Sequence, residues 1–288
     1  MRPPGLAQLI VGHWDLAWRF DIPAVVAVAA YLWAARLNRG RWPLHRTACW
    51  VGGVAALLIA VQSGIDAYDG ELLSIHMVQH LLLLVVAPLL LLGGQPVMLA
   101  LRALPAPQGR VLVRVLVRLR PVAGPWTCLA LFWAAIALTH LPAFYDATLH
   151  SGVLHSAEHS LYLLAGLLLW WHVLGADPLP SHRLAGLPRL VYVLAAMLPM
   201  TIVGSLLDRD STLVYPGYAQ PARGLHVSAL ADQATAGAIM WVAGGTIMVA
   251  VALWAAMAGM AAEERALQRR EAHATQLTVG LERTEVTR

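Results

Sequence analysis

Lysine is absent from the 288 residues: every one of the 20 basic side chains is arginine. Charge of either sign is scarce. Charged residues make up 12% of the chain, against about 25% in soluble domains. Hydrophobic residues make up 59%, and the mean hydropathy is +0.63. A soluble globular domain is thereby excluded, and an integral membrane protein is expected. Cysteine is nearly absent too. Cys49 and Cys128 lie far apart and belong to no CxxC or CxxxC pattern. A thiolate metal site and a disulfide framework are both excluded by that spacing. The opening segment MRPPGLAQLIVGHWDLAW has no compact apolar core followed by a small-residue cleavage site, so no secretory signal is expected. The net charge of +4 is small, and no nucleic-acid partner is expected.

What the chain does have is a series of long apolar stretches. A window of about 19 residues is the appropriate test for a membrane-crossing helix. Seven stretches pass it, roughly 22–37, 44–63, 72–94, 126–141, 151–174, 188–207 and 228–260. The fold class expected is all-α, a polytopic transmembrane bundle of about seven spans over residues 1–261, with a charged tail over 262–288.

Arginine sets the direction of threading. The loops after the first, third and fifth stretches and the tail hold 16 of the 20 arginines. The opposite side has Arg2, Arg19, Arg209 and Arg223, and is rich in acids such as Asp15, Asp66, Asp69, Glu71 and Asp208. The N-terminus is therefore expected outside and the C-terminus in the cytoplasm. In GRVLVRVLVRLRP, near 109–120, Arg110, Arg114 and Arg118 share one helical face opposite Val and Leu. This predicts an interfacial helix on the anionic inner leaflet, with an alternating, β-like loop as the alternative. The tail is expected to continue as a helix and then fray.

Two histidine pairs open two of the apolar stretches. His76-Met77-Val78-Gln79-His80 precedes LLLLVVAPLLLL, and His155-Ser156-Ala157-Glu158-His159 precedes SLYLLAGLLLWW. A spacing of four places both imidazoles of a pair on one helix face. Both stretches run inward, so each pair lies roughly 6 and 12 Å below the start of its helix. His140 ends the fourth stretch outside, and His150 stands at the mouth of the fifth. His226, then Asp232 and Gln233, begin the seventh. Ionisable groups at membrane depth are costly and commonly functional. Turning them toward one another removes that cost, and neutral imidazole suits copper, zinc, iron or nickel.

The candidate ligands are thus His76, His80, His155 and His159. Glu158, Gln79, Asp232 and Gln233 could act as further ligands or as acceptors that orient a ring N–H. Met77 could offer a soft thioether to Cu(I), although packing is its commoner use. A polar packing network or a proton path is the alternative to a metal. His13, His45, His172, His182 and His273 are read as interfacial or loop residues, and Met197, Met200 and Met240 as packing. Pro88 is expected to kink the third stretch.

Three strings are familiar: SIHMVQHLLLLVVAPLLLLGGQP, LTHLPAFYDATLHSGVLHSAEHSLYLLAGLLLWW and LADQATAGAIMWVAGG. They resemble, in order, the third span, the end of the fourth with most of the fifth, and the start of the last span in the CtaG-like family of cytochrome c oxidase assembly factors. The resemblance implies a multi-pass protein of the bacterial inner membrane needed to assemble a haem–copper oxidase. Its implied role is handling copper for the CuB centre, without a turnover activity of its own. The family motif positions fall on His76, His80, His140, His150, His155, Glu158, His159, Asp232 and Gln233. An oxidase subunit is the implied partner, with a periplasmic copper chaperone as a possible donor.

Two other readings stand beside it. His155-Ser156-Ala157-Glu158-His159 reads as HxxEH, an inverted zincin pattern for an intramembrane zinc enzyme with Glu158 as base. A copper or proton transporter is the other, but it needs polar groups through the whole depth. The third and fifth stretches turn apolar after their histidines.

Overall fold

The structure is a computed structural model. It describes residues 3–119, 121–175, 178, 184 and 186–286, and of 262, 266 and 272–286 the backbone only. Among the described residues, regular structure is entirely helical. Arg2, Arg120, His182, Arg183 and Arg288, used above for loops and orientation, lie outside them.

A short α1 (Leu6–Ile10) precedes α2 (Trp18–Leu37) and α3 (Leu44–Gln62), which α4 (Gly64–Tyr68) extends outward. The third stretch is α5 (Leu73–Leu81), a π turn (Leu82–Val86) and α6 (Ala87–Gly93). Gln95, at φ +50°, breaks it from α7 (Pro96–Ala103). The segment expected at the interface is helical, α8 (Ala106–Leu119), with no buried residue, so the β-like alternative is excluded. Next come α9 (Pro125–Thr139), α10 (Pro142–His150), α11 (Gly152–Leu174) and α12 (Gly186–Arg209). A loop with a 3-10 turn (Pro216–Tyr218) and α13 (Ala219–Gly224) leads to α14 (Ala229–Ala238). A second π turn (Ile239–Ala243) and α15 (Gly244–Val286) follow. The last helix runs unbroken through the charged tail, whose AAEERALQRREA is made of strong helix formers.

Five of these helices are long and apolar enough to cross a membrane, or six if α9 and α10, bent by 74°, form one broken span. α11 has 23 residues, ample for crossing. Its first turns carry His155, Glu158 and His159, and it is not one of the five.

Close packing of α11 on the third stretch is built from three side chains. Pro88 lacks an N–H, so the carbonyl of Leu84, four residues earlier, is left without its helical partner. Trp170 of α11, fully buried, donates Nε1–H to that carbonyl at 3.0 Å. Gly166, one turn before it, lets the backbones meet: a Cβ there would lie 2.4 Å from the Leu84 oxygen and 2.8 Å from Pro88 Cγ. The expected distortion at Pro88 is therefore the π turn that precedes it. Gly204 and Gly237 join α12 to α14 in the same way; a Cβ on Gly237 would lie 2.5 Å from the Gly204 oxygen. Small residues at such contacts are how helices approach where lipid supplies no hydrophobic drive.

Candidate metal centre

The polar outer turns of the helices are held by caps. Ser63 Oγ accepts from Ile65 N–H, Ser151 Oγ from Leu154 N–H, and Ser228 Oγ from Ala231 N–H. Asp232 of α14 caps a different helix. Its carboxylate accepts from Leu73 N–H at 2.7 Å and from the Ser74 amide and hydroxyl, and so closes the start of α5. Gln233 accepts from Val214 N–H and donates to the Thr212 carbonyl, which pins the loop after α12. Both were candidate ligands by sequence; both are occupied in holding backbone. His150 is exposed, with Nδ1 donating to the Asp146 carbonyl at 2.7 Å, and stands apart from the cluster.

The four paired histidines do come together. The His76 and His155 rings lie 5.2 Å apart between centroids, and His80 and His159 6.3 Å. The two pairs therefore face each other rung by rung, as equal helix depth requires. Glu158 is 1% exposed and sits among them. Its Oε1 lies 3.8 Å from His80 Nε2 and its Oε2 4.0 Å from His76 Nε2. Neither carboxylate oxygen has a hydrogen-bond partner. Asp69, in the turn after α4, adds Oδ2 at 3.5 Å from His155 Nε2. Those two atoms also lack hydrogen bonds.

Two overlapping sets of ligand atoms result, each within 4.8 Å: His76, His155 and Glu158; and Asp69, His155 and His159. Ligands about 2.0–2.1 Å from a tetrahedral ion are roughly 3.3 Å apart. The 3.5 Å pair already has that spacing, and the wider ones need only a small inward shift. His155 belongs to both sets.

The surrounding bonds assign the ring protons. Tyr218 donates its hydroxyl to the Asp69 carbonyl at 3.0 Å, so its oxygen accepts from His76 Nδ1–H at 2.8 Å. In the neutral ring His76 Nε2 is then a bare lone pair, and it accepts from His80 Nε2–H at 2.7 Å. Gln79 anchors its amide on the Ala60 carbonyl and Asp66, and its Oε1 accepts from His159 Nε2–H at 3.0 Å. That leaves His159 Nδ1 for a ligand. Burial pushes the Tyr218 hydroxyl well above its ordinary range, and it remains a donor. Burial, then the neighbouring Asp66 charge, raises Asp69 from 3.8 to about 7.

Sequence reasoning missed Asp69 as a site residue, having used it only as one of the outer acids. It also missed an aromatic wall of buried tyrosines. Tyr145 stacks on Tyr215 with centroids 4.3 Å apart and on His76 at 5.0 Å; Tyr162 packs edge-on to His80 at 4.3 Å. Tyr215 also donates to the His140 carbonyl at 2.9 Å. The loop residues carried no periodic signal that could have found them. The cysteines are both free, Cys49 beside Gly93 at the far end of α6 from the histidines. His172 donates Nε2–H to the Ala123 carbonyl, 3.0 Å away, as a packing residue.

The sequence model of one family, described as cytochrome c oxidase caa3 assembly factor (Caa3_CtaG), matches residues 29–262. Similar proteins include uncharacterized proteins of Mycobacterium bovis and Mycobacterium tuberculosis. Each is 30% identical over 260 residues, which cover 83% of this chain and 38% of the relative. An uncharacterized protein of Mycobacterium leprae is 31% identical over 294 residues, covering 95% of this chain and 43% of its own length. The chain thus spans about two fifths of the length of these relatives. No solved structure matches.

Proposed function

The chain belongs to the cytochrome c oxidase caa3 assembly-factor family, and on that premise we propose that it binds copper at the outer histidine layer and passes it to an oxidase subunit for the CuB centre. The residues we assign to the ion are His76, His155, His159, Glu158 and Asp69, with His80 beside them. Gln79 and Tyr218 orient rings and hold the tautomers that present bare nitrogens. The observation that carries the reading is Glu158: a buried carboxylate with neither oxygen hydrogen-bonded, facing two imidazoles. A buried carboxyl in that state lacks the partner that a cation would supply.

The ion is cargo. A carrier must release it, so a few imidazoles and carboxylates at imperfect spacing suit the role better than a closed cage. The proposed architecture has seven spans in the inner membrane, with α9 and α10 as one broken span, α11 counted as a span, and the N-terminus outside. The layer then faces the compartment where a periplasmic chaperone or free copper would supply it. Below the histidines the core is aliphatic and aromatic, with Leu83, Leu84, Val85, Leu169 and Trp170 all buried. This argues for a one-sided site over a transport path.

Copper analysis of the purified full chain tests the reading. Wild type should hold about one copper per chain in the outer layer, and His155→Ala/Glu158→Gln should lose it, because His155 belongs to both ligand sets and Glu158 supplies the carboxylate of one. Full copper retention in that variant would sink the proposal. In cells, the same variant should lower the haem–copper oxidase absorbance without lowering the level of this protein.

A further inference from the structure

On the inward side of the layer, between α5, α9, α11, α12 and the second π turn, lies a small space of about 20 Å³. Roughly 10–15 Å³ by this measure holds one water, so one small ion or one water fits. Its wall includes His80, His140, Tyr162 and three methionines, Met77, Met200 and Met240; the rest is aliphatic. All three methionines are buried, and they come from three different helical segments.

Two ring nitrogens of the wall residues are buried without a partner: His80 Nδ1 and His140 Nε2. Their protonation follows from the bonds on the opposite side of each ring. His140 Nδ1 lies 2.9 Å from the Ile136 carbonyl, which can only accept, so Nδ1 carries the proton. His140 Nε2 is then a lone pair. His80 Nε2–H donates to His76, as derived above, so His80 Nδ1 is a lone pair too. Methionine as gap filler explains the thioethers alone. It leaves two lone pairs in a mostly aliphatic wall with no donor to meet them, a cost that native interiors avoid.

Thioether and neutral imidazole together are soft, uncharged ligands. They select Cu(I) over hard divalent ions. Methionine's flexible side chain can swing its sulfur onto an ion without moving a helix. The two π turns flank this level, one directly after Leu81 and one holding Met240. Such bulges redirect side chains and recur at functional sites.

We propose that this cavity is a second, inner copper station specific for Cu(I), formed by His80 Nδ1, His140 Nε2 and the sulfurs of Met200 and Met240, with Met77 in reserve. It rests on the reading of the outer layer as a copper site. His80 joins the two, since its Nε2 faces the layer and its Nδ1 is the free nitrogen. An ion would pass from the charged outer ligands to neutral soft ones a single ring away.

The test is anaerobic loading of the purified full chain with Cu(I) against a competing chelator, read as copper per chain and as sulfur neighbours in copper K-edge absorption. Wild type should bind two Cu(I) and show a sulfur shell. Met200→Leu/Met240→Leu, nearly volume-conserving, should lose one copper and the sulfur shell. His155→Ala/Glu158→Gln should lose the other copper and keep the sulfur shell. Wild type with one copper and only nitrogen or oxygen neighbours would overturn the inner station, leave the outer reading intact and make the cavity a water site. A wild type that takes up no Cu(I) overturns both. Loss of the sulfur shell in the outer variant would mean one composite site and overturn a separate station. Selenomethionine-labelled wild type gives a check that needs no substitution: selenium absorption should show a copper neighbour, and its absence overturns the assignment.

Discussion

The histidine half of the bundle, outer in the proposed topology, and the inner half beyond it solve opposite problems with the same helices. In the inner half, α11 meets the third stretch at Gly166 and Trp170, and the carbonyl freed by Pro88 takes the indole N–H. In the outer half, the same two helices separate into a layer where Glu158, Asp69, His155, His80 and His140 each keep at least one buried atom unpaired. A helix pair packed that tightly below can afford little movement above. The inner contact therefore works as the rigid base that holds the two histidine pairs at facing depths. Strain-free packing and unsatisfied ligand groups coexist because they occupy different turns.

The largest expected effect tests that base. Gly166→Ala puts a Cβ against a backbone oxygen that cannot move aside, and should cost about 3 kcal/mol, read as thermal unfolding of the purified protein. Gly52→Ala is the control, since its Cβ would meet only Leu90 Cδ1 at 3.8 Å; it should be neutral or stabilising by up to about 1 kcal/mol. Equal losses in both would break the contrast between a close contact and an ordinary helix glycine.

The outer half should respond with the opposite sign. Glu158→Gln keeps the shape and removes an unpaired buried acid. Copper affinity should fall at least about tenfold, while the metal-free protein should be as stable as wild type or more so, by up to about 1 kcal/mol. A clear drop in metal-free stability would show that Glu158 is a structural partner and not a waiting ligand.

The smallest effect is a pH slope. Asp69 lies outside the membrane-crossing helices and titrates at about 7 when folded, against 3.8 ordinarily. A raised carboxyl binds more protons folded than unfolded between those values. Metal-free stability should therefore be greatest below about 4 and decline as pH rises toward about 7. Asp69→Asn should flatten that part of the melting-temperature profile; an unchanged slope would place its origin elsewhere.

Much of the candidate site was legible because helix geometry is local. The four-residue spacing of His76 with His80 and of His155 with His159 needs no tertiary information, and equal distance from a helix start predicts equal depth. Glu158 was visible as part of the same pattern, but its position among three histidines was not. Asp69 was hidden for a different reason. It sits in a turn, where neither period nor spacing says which way a carboxylate points. Tyr215 and Tyr218 lie in a loop that folds back over the histidines, and Asp232 and Gln233 face ligand-like depths yet bond to backbone. For such residues only the partner decides the role.

Composition and period were sufficient for the bundle. A chain with so little charge and apolar runs this long can satisfy its backbone in lipid as helices. Tertiary packing decided what those helices hold. It set Glu158 and Asp69 against the imidazoles, fixed the tautomers of His76, His80, His159 and His140 through Tyr218, Gln79 and the Ile136 carbonyl, and brought Met77 and two methionines read as packing to one cavity with His80 and His140. Backbone hydrogen bonding is met within a few residues, whereas side chains meet across long stretches of chain, as Ser74 and Asp232 do across 158 positions.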